Sequence, residues 1–370
     1  MPTNNITINY NELETYFRAH RDPVLQDVAF TACPGIDLLI ARASDVRPSF
    51  RSTSKLLQYK AKRMAQKGRL VKGAMHYEVP VRLNKLTGVV KQSGAGVAAI
   101  SNSPVDDTTP ARWEFSEYYF PVAISQAKWA AAKSGGSKEA VAGAMLSLIG
   151  DKTKSMYQDL IEELASDLYG TNTSSSSGLF SISAGVGNSA VDTTTYGNIS
   201  RSTYTAWCGN YTARTLSAIA TLTSADYILA AMRADSQTAI ANGANPNALV
   251  YLVPTNIHSA VWDAYTGLNG ASTSSLLGRF DLKEGAGLPD IQFDGLTFGK
   301  IPIVHDPNIP ASKMILLDTE TSYFVGLNGS VFDMEKWAMA ETSTQFYSRC
   351  IFIGQFVVTN PRRNVISVYS

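Results

Sequence analysis

Charge is scarce in this sequence. Only 17% of its 370 residues are Asp, Glu, Lys or Arg, and the formal net charge is +1, whereas ordinary soluble domains carry about 25% charged residues. A surface short of Lys and Glu is expected when neighbouring subunits cover much of it. The same composition also suits a Ser/Thr-rich protein working alone. Cysteine is scarcer still: Cys33, Cys208 and Cys350 are far apart and odd in number. That argues against a disulfide framework or a zinc site and fits buried thiols in a reducing compartment. No run of eighteen apolar residues occurs, and the opening Met1-Pro2-Thr3-Asn4-Asn5 is polar. Neither a membrane span nor a secretory signal is expected.

Catalytic signatures are missing as well. Gly299-Lys300 lacks the upstream glycine spacing and the following hydroxyl of a phosphate-binding loop, and neither GxSxG nor HExxH occurs. The four histidines, His20, His76, His258 and His305, are isolated in sequence. His305 beside Asp306 can be drawn as a base with its orienting carboxylate, but the pair ends a strand before Pro307 and reads as structural. Trp207-Cys208 offers a thiol with no activating partner at a readable spacing. Glu162-Glu163 falls on the polar side of a helix. No catalytic residue, metal ligand or cofactor is expected.

What the chain does have is one long amphipathic stretch. From Ser137, apolar residues return at Val141, Met145, Leu148, Ile149, Met156, Leu160, Leu164 and Leu168, while Lys138, Asp151, Lys154, Asp159 and Glu163 fall largely off that stripe. The spacing predicts a helix over 138–169, roughly 48 Å long at 1.5 Å per residue. Ser137 is placed to cap it and Gly170 to close it in the left-handed conformation. Such a helix is a spine for other elements.

Before the spine, charge is lopsided. Between Arg42 and Lys91 thirteen basic residues face two acids, a net +11 that leaves −10 for the rest. Arg42, Arg47, Arg51, Lys55, Lys60, Lys62 and Arg63 are candidates for a face toward nucleic acid or toward a neighbouring copy. No helix-turn-helix, finger or stacking motif accompanies them, so a sequence-specific DNA reader is not expected. His76–Leu83 and Trp113–Ile124 alternate in strand fashion around a Gly/Ala/Ser stretch and a Pro-bounded loop, which predicts one long two-stranded arm. A lone hairpin is marginal in water, so another copy is expected to cover it. Arg82, Lys85, Lys91, Trp113, Phe115 and Phe120 are its candidate inter-subunit residues.

After the spine, Thr171 to about Thr205 is rich in Ser, Thr and Gly and reads as loop or surface. A helix is expected from a cap at Thr223 or Ser224 through Ile240, then a buried strand over 248–253 and a helix capped by Thr255. Ile291–Phe293 is expected to join through Asp294-Gly295 to a strand ending at Phe298, and strands follow over 301–305, 314–317, 323–327, 350–358 and 365–369.

This order of parts resembles the major capsid proteins of tailed bacteriophages, which have the Hong Kong 97 fold. Tyr196-Gly197-Asn198-Ile199-Ser200-Arg201-Ser202 ahead of Trp207 is similar to a Tyr-Gly-x-Ile-x-Arg segment of one branch of that family. Gly299-Lys300-Ile301-Pro302-Ile303-Val304 with Asp306-Pro307, then Leu316-Leu317-Asp318, is similar to its late strand pair. The resemblance implies an α+β chain with an N-terminal arm (1–72), an extended loop (73–125), a peripheral domain (126–204) holding the spine helix, an axial domain (205–320) and a return to the peripheral sheet (321–370). It implies a non-enzymatic head protein, assembled in the host bacterial cytoplasm and residing in the virion. Its partners are then many copies of itself as pentamers and hexamers, a scaffolding protein, a portal, optionally a cement protein, and double-stranded DNA held non-specifically, with no membrane. An encapsulin-like nanocompartment shell is the alternative within the fold. A Ser/Thr-rich hydrolase or carbohydrate-binding protein is the alternative outside it.

Overall fold

In the computed structural model, two sheets and one long helix carry the chain; residues 34–39, 70–83, 108–125, 138–188, 194–221, 224, 226–266, 297–299, 301–335, 338–339 and 345–370 are described. In chain order the elements begin with α1 (Pro34–Leu39), β1 (Leu70–Val71), β2 (His76–Arg82), β3 (Thr108–Glu114), β4 (Ser116–Ser125) and α2 (Lys138–Tyr169). There follow α3 (Ile182–Val186), β5 (Thr195–Tyr196), β6 (Ile199–Ser200), β7 (Asn210–Arg214), α4 (Ile228–Ala241), β8 (Leu249–Val253) and α5 (Thr255–Thr266). The last strands are β9 (Thr297–Phe298), β10 (Ile301–His305), β11 (Lys313–Asp318), β12 (Ser322–Met334), β13 (Ala338–Met339), β14 (Gln345–Val358) and β15 (Val365–Tyr369). Among the described residues no helix is long and apolar enough to cross a membrane.

The second sheet, ordered β7-β15-β11-β8-β10-β9, lies between two cores. Val250 and Leu252 of β8, with Ile315 and Leu317 of β11, face the core that α2 fills with Leu160, Leu164 and Leu168. Leu249, Tyr251 and Val253, with Met314 and Leu316, face a second core built with Ile228 and Met232 of α4 and Ile257 and Val261 of α5. A strand covered on both faces is apolar at every position, which is why 249–253 reads as an unbroken apolar run.

The first sheet runs β1-β12-β14-β13, with β4 paired to β14 from Ser116↔Gly354 to Ser125↔Gln345. α2 lies against it. Met156, Leu160, Ile161, Leu164, Ala165 and Leu168 are buried, while Asp151, Asp159, Glu162 and Glu163 are exposed. The helix spans the residues its periodicity indicates, but it does not close as expected. Gly170 has no positive φ; it is needed for space instead, since a Cβ there would sit 2.6 Å from the Ser166 carbonyl oxygen.

Four further expectations are corrected. The expected long arm is two objects: β2 and β3 form a ribbon of their own, whereas β4 joins the first sheet. The break comes at Phe115-Ser116, two successive buried residues that shift the strand alternation by one. The return over 321–370 splits likewise, because β12 to β14 belong to the first sheet and β15 inserts between β7 and β11 of the second. α4 begins at Ile228, not after a cap at Ser224, whose hydroxyl accepts instead from the Asp226 N–H in the preceding turn. The stretch after the spine is surface only as far as Ser177; Leu179, Phe180, Ile182, Val186, Tyr196 and Ile199 are core residues. The strand expected at 291–293 lies outside the described residues.

Candidate functional site

The ribbon of β2 and β3 exposes one face. β2 and β3 pair from His76↔Glu114 to Arg82↔Thr108. One face, with Tyr77, Val79, Val81, Ala111 and Trp113, packs on the chain's own core. On the other face Glu78, Pro80, Arg82, Pro110, Arg112 and Glu114 are exposed. The base is pinned by a 3.0 Å hydrogen bond between the Tyr77 and Tyr323 hydroxyls and by the Arg112 N–H donating to the Gly197 carbonyl at 2.9 Å.

Pro80 faces Pro110 directly. Neither has an N–H, so this pair cannot be one of those that exchange two hydrogen bonds; it must be a position whose amide groups point outward. The outward N–H of Arg112, two residues on, fits that phase. Each edge of the ribbon thus lacks a donor at mid-height, which blunts it against pairing with another strand.

The expected inter-subunit residues do not stay together. Trp113 is 1% exposed and Phe115 is 8% exposed within the single chain. This corrects the reading that a neighbour covers them: their own core does. Phe120 is half-buried, its ring stacked on Tyr118 at 6.4 Å. Arg82 is exposed on the ribbon. Lys85, Lys91 and the basic residues Arg42, Arg47, Arg51, Lys55, Lys60, Lys62 and Arg63 lie outside the described residues.

Trp113 sits in a knot made by the Tyr-Gly-x-Ile-x-Arg segment. β5 and β6 turn through Gly197 (φ 58°) and Asn198 (φ 63°), the pair of positive φ values that a tight two-residue hairpin turn needs. A Cβ at Gly197 would lie 2.9 Å from the Trp113 ring. Arg201, 1% exposed, donates from Nε to the Trp207 carbonyl at 3.1 Å and from Nη2 to the Gly185 carbonyl at 2.9 Å. Its guanidinium stands 5.0 Å from the centroid of the Tyr196 ring. Trp207 Nε1 donates to the Tyr196 carbonyl at 2.9 Å, and the Tyr196 hydroxyl accepts from the Val358 N–H at 2.9 Å. The segment ties ribbon, α3 and β14 together; it is a joint, and no reactive group is presented.

The nominal catalytic pairs are likewise committed to structure. Asp306, 0% exposed, accepts hydrogen bonds from the Gly35 N–H, Tyr169 Oη and Asn308. His305 Nε2 lies 2.9 Å from Thr255 Oγ1. His258, whose ring is 5.2 Å from that of His305, is pulled down to about 4 by burial and then by His305. Cys208 and Cys350 are buried and form no disulfide. Among the described residues no cluster of three or more His, Cys, Asp or Glu is placed to hold a metal.

Sequence reasoning missed the buried polar framework. Arg214 pairs with Asp235 at 2.5 Å, and Ser367 Oγ donates to the other Asp235 oxygen at 2.6 Å. Burial raises the Asp235 pKa against the pull of Arg214. Gln355 accepts from the Phe180 N–H at 2.7 Å and donates to Ser116 Oγ at 3.0 Å. An Arg in a strand and an Asp in a helix 21 residues on carry no local signal of partnership.

No protein-family model matches the sequence, and no curated protein matches it. Solved structures do. A chain of the cyanophage A-1(L) capsid asymmetric unit is 17% identical, covers 81% of this chain and 90% of its own length, and superposes with a TM-score of 0.55. A chain from Mycobacterium phage Bobi is 11% identical over 88% of this chain and 93% of its own, with a TM-score of 0.50. A virus-like particle from Pyrococcus furiosus, 9% identical over 93% and 96% of the two chains, reaches a TM-score of only 0.43. The chain therefore has the α+β capsid fold, the Hong Kong 97-type architecture of tailed-bacteriophage major capsid proteins.

Proposed function

We propose that this chain is a major capsid protein whose copies assemble into the icosahedral shell enclosing phage double-stranded DNA. The observation that carries the reading is the capsid fold, matched over most of the chain by the cyanophage A-1(L) protein. The ribbon adds to it, anchored in its own core at Trp113 and exposed on its other face. In this reading the first sheet with α2 is the peripheral body and the second sheet the axial body that meets its copies around five- and six-fold axes. The ribbon and the loop it carries lie over a neighbour, through Arg82, Lys85 and Lys91. The role is mechanical, with no catalytic step, and its place is the virion.

The basic residues from Arg42 to Arg63 then face either DNA or an adjacent copy. Contact with DNA would be non-specific and weakened steeply by salt. A scaffolding protein, a portal and an optional cement protein complete the set of partners. The test is to express the full chain in bacteria with and without the scaffolding protein encoded beside it and to image the purified product. Closed particles of uniform size are expected. Monomers under both conditions would overturn the reading. Closed particles whose gene neighbours encode a cargo enzyme, with no portal or terminase, would instead assign an encapsulin-like compartment.

A further inference from the structure

The N-terminal segment enters the described structure at α1, and a carboxylate meets it there. α1 has six residues, too few to hold a helix without outside contacts. Its first N–H groups have no partner within the helix. The Gly35 N–H donates to Asp306 Oδ2 at 2.9 Å, across 271 residues of chain. Tyr169, the last residue of α2, donates its hydroxyl to the same oxygen at 2.8 Å. Oδ1 accepts from the Asn308 N–H at 3.0 Å and from Asn308 Nδ2 at 3.2 Å. All four of these groups are donors, which suits the two acceptor oxygens of a carboxylate side chain. There is room at position 35 only for glycine: a Cβ would fall 2.1 Å from Tyr169 Oη and 2.7 Å from Asp306 Oδ2. Beyond this group, α1 is held by Ile36 and Leu39, both 0% exposed in the core shared with α2. α1 touches α2, β10 and β12, that is, the spine and both sheets.

We infer that Asp306 is a latch that seats α1 and locks the end of the spine helix to the second sheet in one event. Among the described side chains of α1, Ile36 and Leu39 join one face of a core to which both sheets contribute many residues, and the second sheet has a further core behind it. The seat therefore opens while both sheets stay folded, and when it opens Tyr169 loses its tie to β10. Asp306 acts here as a positioning residue, and the inference stands on contacts within one chain, whether or not copies build a shell.

The test is hydrogen exchange by mass spectrometry on the full chain carrying Asp306→Asn. The substitution keeps size and shape but sets an NH2 against donors. Amides of 35–39 and 165–170 are expected to exchange at least tenfold faster, while those of 249–253, central in the second sheet, keep their wild-type rates. Unchanged rates at 35–39, or the same acceleration in all three segments, would overturn the latch. Tyr169→Phe keeps the ring and removes one donor, so the test remains readable if the first variant fails to fold. It is expected to speed exchange at 35–39 a few-fold and to add nothing within twofold when combined with Asp306→Asn. Full multiplication of the two effects would also overturn it.

Discussion

Replacing Trp113 with Ala separates two accounts of the ribbon. If a neighbouring copy covered this side chain, its loss would spare the isolated chain and abolish assembly. In the structure the indole is 1% exposed and has ring centroids of Tyr77, Tyr196 and Trp207 at 6.2, 5.8 and 6.5 Å. Truncating a buried Trp to Ala costs about 3–5 kcal/mol, because the transfer energy and the cavity both count. Against the ~5–15 kcal/mol that holds a typical domain, that is about a fifth of the total or more. Urea unfolding of unassembled protein, followed by circular dichroism, should show a clear drop in midpoint. Trp113→Phe, which keeps one ring, should fall between wild type and Ala. An unchanged midpoint for Trp113→Ala, together with loss of particles, would refute the reasoning and return Trp113 to an interface.

Asp235→Ala removes the nearer carboxylate from the Arg214 guanidinium, whose side chain is 5% exposed, and leaves Asp226 at 3.6 Å; breaking a buried pair outright costs about 3–5 kcal/mol, and the retained partner should hold the loss at or below that range in the same unfolding assay. Replacing both partners with apolar residues of similar volume should cost far less. His258 sets an acid limit. Its folded-state pKa is lowered from 6.5 to about 4, so its contribution is complete above pH 6.5 and is lost as pH falls toward 4. The loss reaches about 3 kcal/mol at 1.36 kcal/mol per unit. His258→Gln should flatten the stability profile across that window, and an unchanged slope would contradict the assignment. Pro80→Val restores an outward N–H between Glu78 and Arg82 on the ribbon edge. Light scattering should then report more non-specific association than wild type; equal scattering would mean that the edge is protected by something else.

Residues whose environment is set by near neighbours were readable in sequence. The stripe through Met156, Leu160, Leu164 and Leu168 gave α2, the apolar run over 249–253 gave β8, and Val365–Tyr369 gave β15. What could not be read depends on distant partners. Alternation says that Trp113 has a covered side but not whose atoms cover it. β4 pairs with a strand more than two hundred residues later, so nothing local separates it from the ribbon. The Leu179–Arg201 stretch looks like surface on average composition, yet its few large residues are core. Burial is decided residue by residue. Asp306 and Gln355 are polar groups whose donors and acceptors arrive from other elements, and no spacing rule anticipates that.

The recognisable motif and the outer face of the ribbon follow different rules for a physical reason. Tyr196, Gly197, Arg201 and Trp207 are constrained by close packing and by buried carbonyls that must receive a donor, so identity at each position matters. The ribbon's outer face answers only to what lies on it, and its composition of Glu, Pro and Arg carries no such signature. Burial also falls along the ribbon, from Trp113 and Ala111 to a half-exposed Thr109. The inner face of the ribbon is therefore fully buried at its base on the β3 side and only half-buried farther out, where Val81 and Leu83 still touch the core. In the shell reading, a neighbour that completes the ribbon would do so against its outer face, since Pro80 and Pro110 leave the edges short of the donors that strand addition requires.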